Sequence, residues 1–173
     1  MIITVIIDTS GSMTVMAKKH IVSVLINYCL GVSEINKEKY SRVNFRLITA
    51  AGEEIKDAGK AGGYFNNGEK SGLSSLDKIF KTTNANDMNF IILSDGLFMS
   101  DEVKKYQEIT ESYPGMRLIA VAVGSDADEY ALQKISYGEK IFHPEDIPLA
   151  VDFFLSSHGK CPVSIASVGG GYG

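Results

Sequence analysis

Residues 2–13 read Ile2-Ile3-Thr4-Val5-Ile6-Ile7-Asp8-Thr9-Ser10-Gly11-Ser12-Met13. The first six are nearly all apolar and mostly β-branched, the composition of a strand buried on both faces. The run stops in a turn rich in side-chain oxygens. A long amphipathic helix is expected over residues 15–30, where Ala17, Ile21, Val24, Leu25 and Tyr28 recur at helical spacing. A buried strand that passes through a polar turn into a helix is the opening of an α/β unit.

The same grammar repeats along the chain. Phe90-Ile91-Ile92-Leu93 is a second buried strand, ending at Ser94-Asp95-Gly96, and residues 118–123 form a third, stopped by Gly124. Val43, Phe45 and Leu47 alternate with polar Asn44 and Arg46, which predicts a strand with one exposed face. Residues 33–40 read as a polar loop with some helical character. Residues 51–72 hold six glycines and are the least regular part, with a short edge strand expected at residues 54–56. Leu73, Leu76, Ile79 and Phe80 mark a short helix, and Ser100 caps one starting at Asp101. A helix over residues 128–135, a strand at residues 140–142 and a last helix from Pro144 to Leu155 complete the pattern.

These alternations predict an α/β class: a Rossmann-like open, mostly parallel sheet with helices on both faces and an antiparallel edge strand. The 173 residues fit one domain, taken as residues 1–157, followed by a glycine-rich tail at residues 158–173 without periodicity.

Composition narrows the function. The chain is 45% hydrophobic and 22% charged with a formal net charge of -4, which disfavours a nucleic-acid or membrane-surface binder. The basic pairs Lys18-Lys19 and Lys104-Lys105 read as solvated helix faces. The two cysteines, Cys29 and Cys161, form no C-x-x-C pair, and Cys29 reads as a core residue. The three histidines lack metal-ligand spacing. No basic leader precedes an apolar run, and no stretch approaches the ~18 apolar residues of a membrane span. A cytoplasmic protein is the expectation.

In an open α/β sheet, ligands bind beyond the carboxyl ends of the strands, where the strand order reverses. Two such ends carry oxygen-rich turns. If the strands at residues 2–7 and 90–93 are neighbours, Asp8 and Asp95 converge there, joined by the hydroxyls of Ser10 and Ser12. Hard oxygens with two formal charges suit Mg2+, which keeps several waters, with Mn2+ or Ca2+ as alternatives. An incompletely neutralised ion is a receptor for an external carboxylate. Capping explains Asp8 or Ser12 singly but not the whole set with Asp95.

Asp8-Thr9-Ser10-Gly11-Ser12-Met13 resembles the first segment of the metal-ion-dependent adhesion site of von Willebrand factor A domains. Ile91-Ile92-Leu93-Ser94-Asp95-Gly96 resembles the third segment, and the likeness runs from Ile2 to about Leu155. The run Val121-Ala122-Val123-Gly124-Ser125-Asp126-Ala127-Asp128, followed by Leu132-Gln133-Lys134-Ile135, is similar to bacterial TerY-like proteins associated with tellurite resistance and stress response. The family's second segment is a threonine in a G-G-T-x-L context. Here the matching stretch is Glu69-Lys70-Ser71-Gly72-Leu73, which keeps a hydroxyl at Ser71 but lacks the glycine pair. Ser74 is the fallback.

The resemblance implies that Ser10, Ser12 and Ser71 contact the ion directly, with Asp8 and Asp95 holding it directly or through water. A protein partner's Asp or Glu would complete the shell, and no catalysis is implied. The competing reading is an aspartyl phosphotransfer enzyme of haloacid dehalogenase type. Such an enzyme needs a second carboxylate two residues after its nucleophile, and that position is Ser10. A third reading is a structural domain with a degenerate, metal-free site.

Overall fold

The computed structural model describes residues 1–15, 17–56, 65, 73–84 and 88–156. Strands β1 (Ile2–Ile7), β2 (Asn44–Thr49), β3 (Asn89–Ser94), β4 (Arg117–Ala122) and β5 (Ile141–Phe142) form one sheet in the order β2-β1-β3-β4-β5. Every pairing among them is parallel. The two central strands, β1 and β3, are buried almost throughout, as their unbroken apolar runs require.

Helices α1 (Lys18–Ile35), α2 (Lys37–Tyr40), α3 (Leu76–Thr82), α4 (Ser100–Glu111), α5 (Glu129–Ile135) and α6 (Ile147–Ser156) cover both faces. Successive side chains of a strand point to opposite faces, so β1 feeds two cores. Ile3, Val5 and Ile7 pack with Val22, Leu25, Ile26 and Cys29 of α1 and with Ala150, Val151 and Phe154 of α6. Ile6, Ile48 and Ile92 pack with Leu76, Ile79 and Phe80 of α3, Tyr106 of α4 and Leu132 of α5. Phe80 anchors this second core edge-on to Phe90, with ring centroids 5.0 Å apart.

Several expectations shift by a few residues. A 3-10 turn at Gly11–Thr14 precedes α1, which starts three residues later than expected and runs on to Ile35. The first helix therefore absorbs the start of the segment read as a loop, and α2 takes most of the rest. Glu102, rather than Ser100, serves the start of α4: its carboxylate accepts from the Met99 amide at 3.1 Å. Asp128 caps α5 by accepting from the Ala131 amide at 3.0 Å.

The antiparallel edge strand expected at residues 54–56 is not formed as a strand. It is reduced to one antiparallel bridge between Ile48 and Glu54, flanked by bonds from Thr49 N–H to the Glu53 carbonyl and from Ile55 N–H to the Leu47 carbonyl. The chain doubles back on β2 through Gly52, whose φ of 93° suits glycine. Phe65 is buried in the first core, so it acts as a cover and not as an exposed contact. The tail assigned to residues 158–173 lies outside the described residues.

Candidate functional site

The strand order reverses direction between β1 and β3: the chain leaves β1 for β2 on one side, and β3, β4 and β5 build outward on the other. The Asp8 amide donates to the Leu93 carbonyl at 3.0 Å, which brings the two strand ends together. Asp8 and Asp95 are thus neighbouring strand-end residues, only 3% and 1% exposed.

Asp8 is not a helix cap. Its Oδ1 accepts from the Ser10 amide at 2.8 Å and its Oδ2 from the Ser94 hydroxyl at 2.6 Å. Burial pushes its carboxyl above the ordinary aspartate range, and the nearby Asp95 adds to this, against the lowering effect of the Ser94 and Ser10 bonds. Ser10 and Ser12 stand half-buried with their hydroxyl oxygens 3.0 Å apart. Gly11 between them is exposed, and a side chain there would meet nothing within 4 Å.

The loop after β3 is built differently. Gly96 has a φ of 72°, and a Cβ there would lie 2.6 Å from the Asp128 carbonyl oxygen. Only glycine lets the turn lie against the start of α5. Asp95 accepts from the Leu97 amide at 3.2 Å through Oδ1, and its Oδ2 is taken by Lys18 Nζ at 2.7 Å.

Lys18 overturns its reading as part of a solvated basic pair. It is 0% exposed, and its ammonium bridges Asp95 and Asp126, the latter at 2.9 Å. Burial works against the charge, but bonds to Asp126 and Asp95 outweigh it and hold the Lys18 pKa above the ordinary lysine range. The same bond holds the Asp126 carboxyl below its usual range. The lysine stem lies over Gly124, where a Cβ would come within 2.5 Å of Lys18 Cε. The fold gathers Asp8, Ser10, Ser12 and Asp95 at one sheet edge as the sequence predicts, and brings to them Lys18, Asp126 and Ser94, which the sequence did not single out. Ser71 and the Ser74 side chain lie outside the described residues.

The donors at this edge suit a hard divalent ion. Cis oxygens of an octahedral shell at about 2.1 Å are spaced by about 3 Å, the separation the two serine hydroxyls already have. Among the described residues no group of three or more His, Cys, Asp or Glu side chains gathers to hold a metal. Among them, too, no helix is long and apolar enough to cross a membrane.

No protein-family model matches the chain, and no curated protein sequence matches it. Solved structures do. The von Willebrand factor domain of the type V pili tip protein Mfa5 from Porphyromonas gingivalis superposes with a TM-score of 0.53 at 11% identity, covering 94% of this chain and 97% of that one. The chain has the fold of a von Willebrand factor A domain. Manganese-loaded Plasmodium vivax TRAP protein aligns with a TM-score of 0.54 at 18% identity, over 89% of this chain and 72% of its own. Proximal thread matrix protein 1 from the mussel byssus gives 0.54 at 11% identity over 88% of this chain, which spans only 46% of the mussel protein. These identities carry the fold and no more.

Proposed function

We propose that this A-type fold is a divalent-metal-dependent protein-interaction module and not an enzyme. The observation that carries the proposal is the pair of half-buried hydroxyls, Ser10 and Ser12, 3.0 Å apart beside the buried Asp8 at the sheet's switch point. Ser10, Ser12 and Ser71 would hold the ion directly, with Asp8 and Asp95 beneath it. Mg2+ is the preferred ion, and Mn2+ or Ca2+ can substitute. Manganese-loaded TRAP is a precedent for a divalent ion on this fold.

The ion would carry charge that the site does not neutralise, and a partner's Asp or Glu would satisfy it. Exposed Val15, Leu97 and Met99 lie on the same two loops and offer apolar contact beside that carboxylate. The sequence likeness to TerY-like proteins supports a bacterial stress-response setting in the cytoplasm as the cellular role. Phosphotransfer at Asp8 is disfavoured, because the position two residues later, where such an enzyme needs a second carboxylate, is Ser10. One observation favours the metal-free reading instead: the Lys18 ammonium already neutralises Asp95.

Thermal unfolding in Mg2+ and Mn2+ tests the proposal. Wild type gains stability with ion concentration, by about 2.7 kcal/mol at a hundred times Kd, and Ser12→Ala loses that gain. No shift at millimolar ion favours the metal-free site. Partners that bind equally to wild type and Asp8→Ala, with or without chelator, argue against metal-bridged recognition.

A further inference from the structure

We infer that Lys18 is a built-in counter-cation that withholds one carboxylate oxygen of Asp95 from the proposed ion, and so sets how tightly that ion is held before a partner engages. The inference deepens the metal-binding reading and rests on it.

Four independent features place this lysine. The residue before it, Ala17, has a φ of 60°, a left-handed conformation that non-glycine residues rarely adopt, at the point where the chain turns into α1. The stem passes over Gly124, a position that also has a positive φ of 98° and where any side chain would displace it. The ammonium then reaches carboxylates from two different strand ends, Asp95 after β3 and Asp126 after β4. Finally, the lysine is fully buried, which is rare for this residue type unless it is paired. A lysine serving solubility needs none of this.

The chemical consequence follows from charge. Oδ2 of Asp95 is spent on the ammonium and Oδ1 receives the Leu97 amide, so Asp95 is engaged before any ion arrives. A fixed positive charge bonded to one of the two site carboxylates also repels a divalent cation, and within a protein that repulsion is weakly screened. The ion is held loosely by the apo site and tightly once an external carboxylate adds its charge. Ion and partner then bind cooperatively, because each improves the site for the other.

Asp126 tunes the lysine from the other side. Its side chain is 34% exposed, so replacing it leaves the fold intact while shifting the full ammonium charge onto Asp95. The two variants therefore act in opposite directions. A lysine with a merely structural role gives the same direction for both, since each loosens the site.

The test is calorimetric titration of the full chain with Mn2+ alone, with circular dichroism to confirm folding. Lys18→Met binds Mn2+ about tenfold more tightly than wild type, or better, and Asp126→Asn binds it several-fold more weakly. A folded Lys18→Met with unchanged or weaker affinity, while wild type binds, overturns the inference and leaves the metal site standing. If Lys18→Met does not fold, Lys18→Gln decides, since it keeps a donor for Asp95 without the charge: tighter Mn2+ binding supports the inference, and equal or weaker binding overturns it. Binding by Lys18→Met but not by wild type supports the inference and overturns the metal-dependent reading of the native chain. No binding by any of the three overturns both.

Discussion

The loops after β1 and β3 sit side by side and are built on opposite plans. After β1, Gly11 is exposed with open space around it, and Ser10 and Ser12 are bonded to each other. The donors to Asp8 are the Ser10 amide and the Ser94 hydroxyl, both neutral. After β3, Gly96 is wedged against Asp128 and Leu132, and Asp95 already has its cation in Lys18. One loop is open and, among the described residues, has no cation beside its aspartate; the other is closed and shares one between Asp95 and Asp126. The fold completes the β3 loop by itself, whereas the β1 loop carries the hydroxyls on which the proposed ion site rests. Stability is therefore expected to depend on the β3 side and ligand response on the β1 side.

The largest effect should come from filling the closed side. Gly96→Ala places a methyl 2.6 Å from the Asp128 carbonyl oxygen and 2.8 Å from Leu132 Cγ, at a backbone φ of 72°. The backbone oxygen belongs to the cap of α5 and its amide is bonded to the Asp95 carbonyl at 2.8 Å, so neither partner moves easily. The expected loss is about 2–4 kcal/mol, or roughly 10 °C in Tm for a domain of this size. Chemical denaturation measures it. A loss below ~1 kcal/mol would show that the β3 loop is as open as the β1 loop.

The contrast between the loops also explains what was legible in the sequence. β1 and β3 are central strands written as unbroken apolar runs, so both strands and the aspartates that end them were readable. Ser10 and Ser12 belong to one short motif and needed no tertiary information. Lys18 was different. Its partners Asp95 and Asp126 are 77 and 108 residues away, out of reach of any local motif. A usable signal did exist: Lys18 shares the helix face of Val22, Leu25 and Cys29, at spacings of four, seven and eleven, and all three are buried. A charged residue on a core-facing stripe asks for a buried partner. The edge strand at residues 54–56 failed for another reason. A single bridge at the sheet's edge is stabilised by few bonds, and local β-propensity does not say whether pairing extends.

The middle-sized effect probes the missing charge on the open side. Asp8 is buried among neutral donors, so its ionised form is costly in the metal-free protein. Its folded pKa lies above the ordinary value of 3.8. Between the unfolded and folded values the native state holds more protons than the unfolded chain, so stability falls as pH rises through that window. Below 3.8 the penalty is absent. Asp8→Asn removes the ionisable group and keeps an acceptor for the Ser10 amide. Without metal, Asp8→Asn should gain stability relative to wild type as pH rises through the raised folded pKa of Asp8, and lose that gain as pH falls below it. With millimolar Mg2+ the trend should reverse, because only wild type gains from the ion. Paired melting curves across pH, with and without metal, read both signs. An Asp8→Asn variant with no such gain without metal would mean the β1 side is as well balanced as the β3 side.

The smallest effect belongs to Gly11→Ala, and its smallness is the point. The glycine has no positive φ among those of this chain, and a methyl there meets nothing within 4 Å. Glycine to alanine at a compatible position also restricts the unfolded chain, which favours folding slightly. Stability should change by no more than about 0.5 kcal/mol, and Mn2+ affinity should be unchanged, since the Ser10 and Ser12 hydroxyls are not displaced. If the open loop is where a partner presses its carboxylate toward the ion, the added methyl occupies space that the partner needs. Metal-dependent partner binding should then weaken by about tenfold, as a misplaced methyl group at an interface commonly does. Gly11→Ala thus separates folding from recognition with one carbon atom. Unchanged stability with unchanged partner binding would move the contact surface away from Gly11, toward the exposed Leu97 and Met99 of the closed loop.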